Sequence, residues 1–400
     1  MDKELNAKTK VLLLAPTSIP QGGIARWAKL LLDNSTGEKV EYKTLDTSVH
    51  HLVLGGRPSL WSRVCDLKDS LFRGMRLLTD LIVYRPDIVY FTCSPSVGFA
   101  FRDAPQILLS KLFGIKVVIH LRGGDLDGFW SGGLLRRSLA NMGSRLADYI
   151  FAITRDCEAT ARRKFGNDKV IYIPNFVDVT SANGAGSDIP AEIKKDKFNI
   201  IHVAFQCKVK GTFEILQAAI ELPDTVNILL IGVVSEDNKA AIEKTIGENE
   251  VGHKVLLLGA RGKPALWEYY RNADLFLFPT YTEGFPNVIM EAMLCGLPIL
   301  ASDVGNIAEM TDAAGPKPAA VLLESNNPPD PLEMADKIKN IINDAELRNA
   351  LSKNGYERVR ECYSIDAVIP QLEAVLQAIS RRQDALLKSR EFFQQQELSN

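Results

Sequence analysis

Short runs of valine, isoleucine and leucine alternate with stretches of helical periodicity along almost the whole chain, and this alternation narrows the fold more than any other feature. Apolar runs of this length, without polar residues interleaved, belong to strands buried on both faces. That is the condition of a parallel sheet sandwiched between helices. In the first half the strands read KVLLLAP, DIVYFTC, KVVIHLR and YIFAIT, with YIPN after them. The second half begins afresh with FNIIHVAF, then NILLIGV, KVLLLGA, DLFLFPT and LPILASD.

A chain of 400 residues exceeds what one hydrophobic core usually organises. The expected architecture is therefore α/β, with two Rossmann-like doubly wound parallel-sheet domains facing a central cleft. The segment NFVDVTSANGAGSDIPAEIKKDK is small, polar and without core periodicity, which marks a junction. The expected division is an N-terminal domain over 1–178, a linker over 179–196, a second domain over 197–365, and a C-terminal helix over 366–400 that returns to the first domain before an exposed tail.

Composition bounds the function classes. The chain is 46% hydrophobic and 24% charged, enough apolar material for a sizeable core and too much for disorder. The apolar run from Val11 to Ala15 is too short for a signal peptide, and no run reaches the roughly 18 residues of a membrane-spanning helix. Six cysteines are scattered without a C-x-x-C pair or a histidine at metal spacing, which suits free thiols in a reducing cytoplasm. The net charge of −2 hides an asymmetry: Met1 to Asp178 carries 25 basic against 18 acidic residues, the remainder 22 against 31.

The segment from Asp274 to Asp303, DLFLFPTYTEGFPNVIMEAMLCGLPILASD, carries the most chemical information. It reads strand, loop, helix, stop, strand. Pro286 suits a helix start, Gly296 a left-handed helix end, and Pro298 blocks continuation, so a helix is predicted from Asn287 to about Cys295. Gly284, Phe285, Pro286 and Asn287 bracket its start, where a helix dipole and unpaired N–H groups favour an anion. Glu283 precedes that start and Glu291 lies one turn inside the helix.

This Glu-x7-Glu pattern, with its E-G-F-P opening and E-A-M-x-C-G-x-P close, resembles the retaining glycosyltransferases of family four, which have the GT-B fold. The resemblance implies transfer of a sugar from a nucleotide-diphosphate sugar, with Glu283 on the sugar and Glu291 on the ribose. Gln21-Gly22-Gly23-Ile24 resembles the family's N-terminal glycine loop, implying donor-diphosphate contacts at Gly22 and Gly23. His120 ends the strand KVVIHLR, where a family histidine contacts the transferred sugar; a structural histidine satisfied in the core is the other reading. YIPNFVD resembles P-N-G-V-D with Phe176 at the glycine, and SDVGNIAEM resembles S-x-x-G-G-x-x-E with Asn306 at the second glycine. Where the family has G-R-L…K-G, this chain has VAFQCKVKG: Phe205 stands at the arginine, Lys210 keeps the lysine and Lys208 lies nearby.

The resemblance implies a metal-independent enzyme without cofactor, taking a nucleotide-sugar donor and a glycan or lipid-linked acceptor and not nucleic acid. Asp125-Leu126-Asp127 spells the D-x-D of metal-dependent transferases, but such a pair in a glycine-rich loop is more often a solvated turn. The stretch from Leu60 to Val83 interleaves Arg63, Lys68, Arg73 and Arg76 with Trp61, Leu67, Leu71, Phe72 and Met75. It reads either as a helix at an anionic membrane surface or as a core-packed helix with a wet basic face. An isomerase on the same fold and an inactive donor-binding homologue are the alternatives in other classes, whereas a nicotinamide enzyme lacks its G-x-G-x-x-G.

Overall fold

The structure is a computed structural model that describes residues 7–18, 22–48, 60–93, 98–123, 133–182 and 189–383, except for the side chains of 60–67 and 69. The chain divides into two compact units, one formed by the residues up to Asn175 together with the segment from Ile365, the other by Phe176–Ser364.

The first unit runs β1 (Thr9–Ala15), α1 (Gly23–Asn34), β2 (Val40–Asp46), α2 (Leu60–Val83), β3 (Ile88–Cys93), α3 (Ala104–Leu112), β4 (Lys116–Leu121), α4 (Leu134–Leu146), β5 (Tyr149–Ala152), α5 (Arg155–Phe165) and β6 (Val170–Tyr172). Its strands form one parallel sheet in the order β2-β1-β3-β4-β5-β6. The chain reverses direction across the sheet between β1 and β3. β3 and β5 are buried at every position, as strands covered on both faces must be. Leu77 and Leu81 of α2, Ile107 of α3 and Ala140 of α4 close one face over Leu12, Val89 and Ile119. A π-helical turn, Phe99–Asp103, leads into α3.

The second unit runs β7 (Phe198–Val203), α6 (Thr212–Ala218), β8 (Val226–Ile231), α7 (Glu236–Glu248), β9 (Val255–Gly259), α8 (Lys263–Asn272), β10 (Leu275–Phe278), α9 (Asn287–Leu294), β11 (Ile299–Ser302), α10 (Ile307–Met310), β12 (Ala320–Leu323), α11 (Pro331–Asn343) and α12 (Ala345–Cys362). Its parallel sheet has the order β12-β11-β10-β7-β8-β9. Counted from β7 this is the dinucleotide-fold order, with the switch of direction between β7 and β10. Val177 pairs in parallel with Ser364, and its N–H donates to the Tyr363 carbonyl at 2.8 Å, so the two chain ends of this unit lie side by side.

The fold class is α/β with two doubly wound parallel sheets, as the apolar runs require. Two strands have no counterpart among those runs: β2, whose pattern is largely exposed, and the four-residue β12. Both are edge strands.

After α12 the chain forms α13 (Ile365–Ser380), which packs on α1, β1 and β2 of the first unit. The Ser35 hydroxyl donates to the Glu373 carboxylate at 2.6 Å, and Leu372, Val375 and Leu376 are fully buried. The expected exposed tail lies mostly outside the described residues. Leu372→Ala should leave a cavity and lower unfolding stability by about 2–5 kcal/mol in urea denaturation; a change under 0.5 kcal/mol would mean that α13 does not belong to this core.

Candidate functional site

Ligands of doubly wound sheets bind beyond the carboxyl ends of the strands, at the switch point. In the second unit that point is the β7–β10 junction, and three sets of contacts fix it. The buried His202 of β7 donates from Nδ1 to the Leu277 carbonyl of β10 at 2.9 Å. Burial lowers the His202 pKa to about 4, and the nearby Lys210 cation pushes in the same direction, so the ring is neutral. Beyond the strands, the Tyr281 N–H donates to the Val209 carbonyl at 2.9 Å. Gly211, with φ of 75°, lies so close to Pro279 that a Cβ would come within 2.0 Å of its carbonyl oxygen. Only glycine fits there, whatever the space elsewhere.

Between these anchors, Gln206 is buried and donates to the Ala204 carbonyl at 3.0 Å and to the Ile231 carbonyl at 2.9 Å, which shapes the loop after β7. Lys208–Lys210 form a single 3-10 turn. That turn places Lys208 in solvent and Lys210 half-buried, where its ammonium forms an ion pair with Glu283 from the loop after β10. The two sequence-selected groups, 73 positions apart, thus meet at the switch point. Phe205, at the position of the expected arginine, is 46% exposed and is not a core residue.

The helix α9 begins at Asn287 and ends at Leu294, one residue short of the expectation, with Gly296 at φ 63° closing it. Its N-cap residue, Pro286, has no side chain able to cap it, and no acidic residue stands in its first turn. The loop after β11 presses on this start. The Asn306 N–H donates to the Gly284 carbonyl at 2.9 Å, and a Cβ on Gly305 would lie 2.2 Å from the Glu283 carbonyl oxygen. Lys210, Glu283, Gly284 and the start of α9 therefore occupy one place, a cation beside a carboxylate and a helix N-terminus that favours an anion.

Other selected residues sit differently. The Phe285 ring turns inward, 7% exposed, and meets Tyr363 edge to face at 5.6 Å between centroids, so only its backbone serves the loop. Pro286 is buried and occupies the helix N-cap. Glu291 is 2% exposed, and Lys263 donates to its carboxylate at 2.5 Å. Lys263 is a partner that sequence reasoning missed. Its only signal was a basic residue before Pro264 at a helix start, just beyond the C-terminal end of β9, where ligands gather.

In the first unit, His120 is fully buried. Its Nδ1 bonds the Tyr90 hydroxyl at 2.8 Å, and the Trp27, Tyr90 and Phe151 rings lie within 6.0 Å of it, centroid to centroid. Burial holds its pKa well below the ordinary value, with the Arg122 cation adding to the effect. In this arrangement the ring is neutral and buried, and Arg122, just beyond the end of β4, stacks on Trp27 at 4.4 Å. Gly22 is the N-cap of α1, with φ of 104°, and Gly23 its first residue, both exposed and without a side-chain cap. Gln21, Asp125, Leu126, Asp127 and the side chains of Trp61, Arg63 and Leu67 lie outside the described residues. Among the described residues no group of three or more His, Cys, Asp or Glu could hold a metal ion.

Removing Lys263 strips Glu291 of this cation. Lys263→Met should cost about 1–3 kcal/mol of stability, the lower part of the range for a broken buried pair because Lys263 is partly exposed. The double variant Lys263→Met/Glu291→Gln should recover much of that loss. Urea unfolding of the three variants in a double-mutant cycle measures it, and strictly additive effects would show that the pair is not coupled.

Residues 188–358 match the family model of glycosyl transferases group 1. The chain is 32% identical over 205 residues to an uncharacterized glycosyltransferase of Methanocaldococcus jannaschii, covering 48% of this chain and 54% of that one. It is 25% identical over 234 residues to a putative teichuronic acid biosynthesis glycosyltransferase, TuaC, of Bacillus subtilis, covering 56% and 55%. The alignments thus span about half the length of these relatives. Among solved structures, a sucrose-phosphate synthase from Thermosynechococcus elongatus superposes with a TM-score of 0.72 at 18% identity, over 94% of this chain and all of that one. HepE of Anabaena in complex with UDP superposes with a TM-score of 0.67 at 19% identity, over 92% of this chain and all of HepE. At these identities the likeness concerns the fold, the two-domain α/β architecture of GT-B glycosyltransferases.

Proposed function

We propose that this chain is a retaining glycosyltransferase that moves a sugar from a nucleotide-diphosphate sugar to a glycan or lipid-linked acceptor, without a metal ion. The observation that carries the reading is the pairing of Lys210 with Glu283 at the β7–β10 switch point, beside the start of α9. The family match over residues 188–358 and the UDP bound by HepE support the same reading.

In the reaction the bond from the anomeric carbon to the phosphate oxygen breaks and the nucleoside diphosphate departs with the electron pair. The acceptor oxygen bonds the carbon on the face the phosphate left, and the acceptor's proton passes to the departing phosphate. The charge that develops is on the diphosphate, so groups aimed at it lower the barrier. On the second unit, Lys210 and the amides at the start of α9 are those groups. A diphosphate competes with Glu283 for Lys210. Its binding therefore frees the Glu283 carboxylate to accept from sugar hydroxyls, which couples donor binding to sugar positioning. Glu291 takes the ribose once a hydroxyl displaces Lys263. The placement that goes with this chemistry is cytoplasmic, peripheral to the inner face of a membrane. No helix among the described residues is long and apolar enough to cross one.

Because Phe205 stands in the arginine position, Lys210 carries most of the side-chain cation contribution on this unit. After a thermal-shift screen has chosen the donor, Lys210→Ala should lose about 3 kcal/mol in kcat/KM, roughly a hundredfold. The solvent-exposed Lys208→Ala should stay near wild type, and Glu283→Gln should lower kcat more than it changes donor KM. Diphosphate release should persist in EDTA, and NMR of the product should show the donor's anomeric configuration. Wild-type turnover in both lysine variants would remove the phosphate-site assignment; activity lost in EDTA and restored by magnesium would overturn the metal-free mechanism.

A further inference from the structure

The helical layer over one face of the first unit presents apolar residues on both of its sides. On α2, Leu77 and Leu81 point into the core, as a covering helix requires. On the flank beside that covered side, Leu71, Met75, Leu78 and Ile82 follow one another at i, i+4, i+7 and i+11 and are exposed, Leu71 and Met75 by 65% and 67%. This is a second apolar stripe on the same helix, and it faces solvent. The neighbouring α3 repeats the arrangement. Pro105, Leu108 and Leu112 share its outer side, Leu112 is 75% exposed, and Phe101 precedes them by one turn. α2 and α3 are in contact, so the stripes run over adjoining helices. Single exposed apolar residues need no explanation, whereas two adjoining stripes mark an interaction surface.

The charge around the stripes identifies the partner. No glutamate occurs between Glu41 and Glu158. Along α2, Arg63, Lys68, Arg73 and Arg76 stand against Asp66, Asp69 and Asp80. The Asp80 carboxylate is held by Lys43 at 2.7 Å, Asp103 is buried against Arg102 at 2.6 Å, Asp87 beyond the helix accepts from the Lys10 N–H at 2.8 Å, and α3 has no acidic residue. Lys68 and Arg76 stand exposed on α2 beside its apolar stripe, and Arg85 lies exposed just beyond its end. An apolar strip edged by cations is what an amphipathic helix lying in a membrane interface presents. Facing a second copy of itself, the same surface would set like charges together.

We infer that the outer face of α2 and α3 docks on an anionic lipid bilayer. This specifies the peripheral placement proposed above by naming the surface, and it holds or fails independently of the transfer chemistry in the other unit. The contact has two parts: the side chains from Leu71 to Ile82 and from Phe101 to Leu112 enter the headgroup boundary, while Lys68, Arg76 and Arg85 meet lipid phosphates. The apolar part resists salt and the cationic part does not.

The test is co-flotation of the full chain with vesicles of phosphatidylglycerol and phosphatidylcholine, or of phosphatidylcholine alone, at low and high salt. Binding is expected to the mixed vesicles and to weaken with salt. The variant Leu71→Gln/Met75→Gln/Ile82→Gln, and separately Leu108→Gln/Leu112→Gln, should lose at least tenfold in partitioning. Lys68→Gln/Arg76→Gln should lose about fivefold per charge and flatten the salt dependence. All these residues are exposed, so folding should survive; unchanged far-UV circular dichroism and an unchanged thermal shift with nucleoside diphosphate separate loss of docking from loss of the donor site. No flotation with the mixed vesicles, equal flotation with phosphatidylcholine alone, or partitioning untouched by the glutamine variants overturns the inference. So does analytical ultracentrifugation showing a dimer that the glutamine variants convert to monomer, since the face would then belong to a second copy.

Discussion

The pairing of β7 with β10 is the constraint from which the candidate site follows. Both strands run the same way, but the chain leaves them toward opposite edges of the sheet, which is the position where ligands of doubly wound sheets bind. The loops are held to ångström tolerance by contacts that use little side-chain chemistry. A glycine at 211 lets one backbone lie on Pro279, and the neutral His202 bridges the two strands below. These contacts bring the loops that carry Lys210 and Glu283 within reach of an ion pair. A change that widened this junction would separate the charges without altering either residue, which is how positioning away from the chemistry affects rate.

The electrostatics of the junction are spare. The Lys210 ammonium, the Glu283 carboxylate and the start of α9 share it, over a buried imidazole that burial keeps uncharged. With an exposed phenyl ring at 205 the site depends on Lys210 to an unusual degree, and the ion pair with Glu283 holds that cation in place. Glu291 has its own cation, Lys263, so each carboxylate of the Glu-x7-Glu pattern is paired to a lysine from a different loop. Two pairs of this kind hold charged side chains at defined positions in a partly dry site, where preorganised charge is most effective.

Much of this was legible in the sequence because buried strands and helix ends leave strong local signals. DLFLFPT and LPILASD are apolar throughout since both faces are covered, and Gly296 stands where only a left-handed residue ends the helix. β2 was not legible: VEYKTLD lies at an edge, pairs on one side only and buries only Val40 and Leu45. Lys263 could not be assigned to Glu291, 28 positions away, because the contact exists only after β9, β10 and α9 have been stacked. The same holds for His120 and Phe285. Each lies in a segment read for its ligand-facing end, and three-dimensional packing turned each ring into the core. The outward stripe of α2 was half visible, since Leu71 and Met75 interleave with basic residues, but periodicity alone does not say which of two apolar faces is covered.

The central claim is that the loops after β7, β10 and β11 form a single anion site, and amide chemical-shift mapping with a nucleoside diphosphate addresses it most directly. On titration, the largest shifts should cluster at Lys210, Gly211, Gly284, Asn287 and Gly305, and they should collapse together in Lys210→Ala. Shifts concentrated elsewhere in the second unit, or a Gly284–Asn287 response that survives unchanged without the lysine, would contradict it.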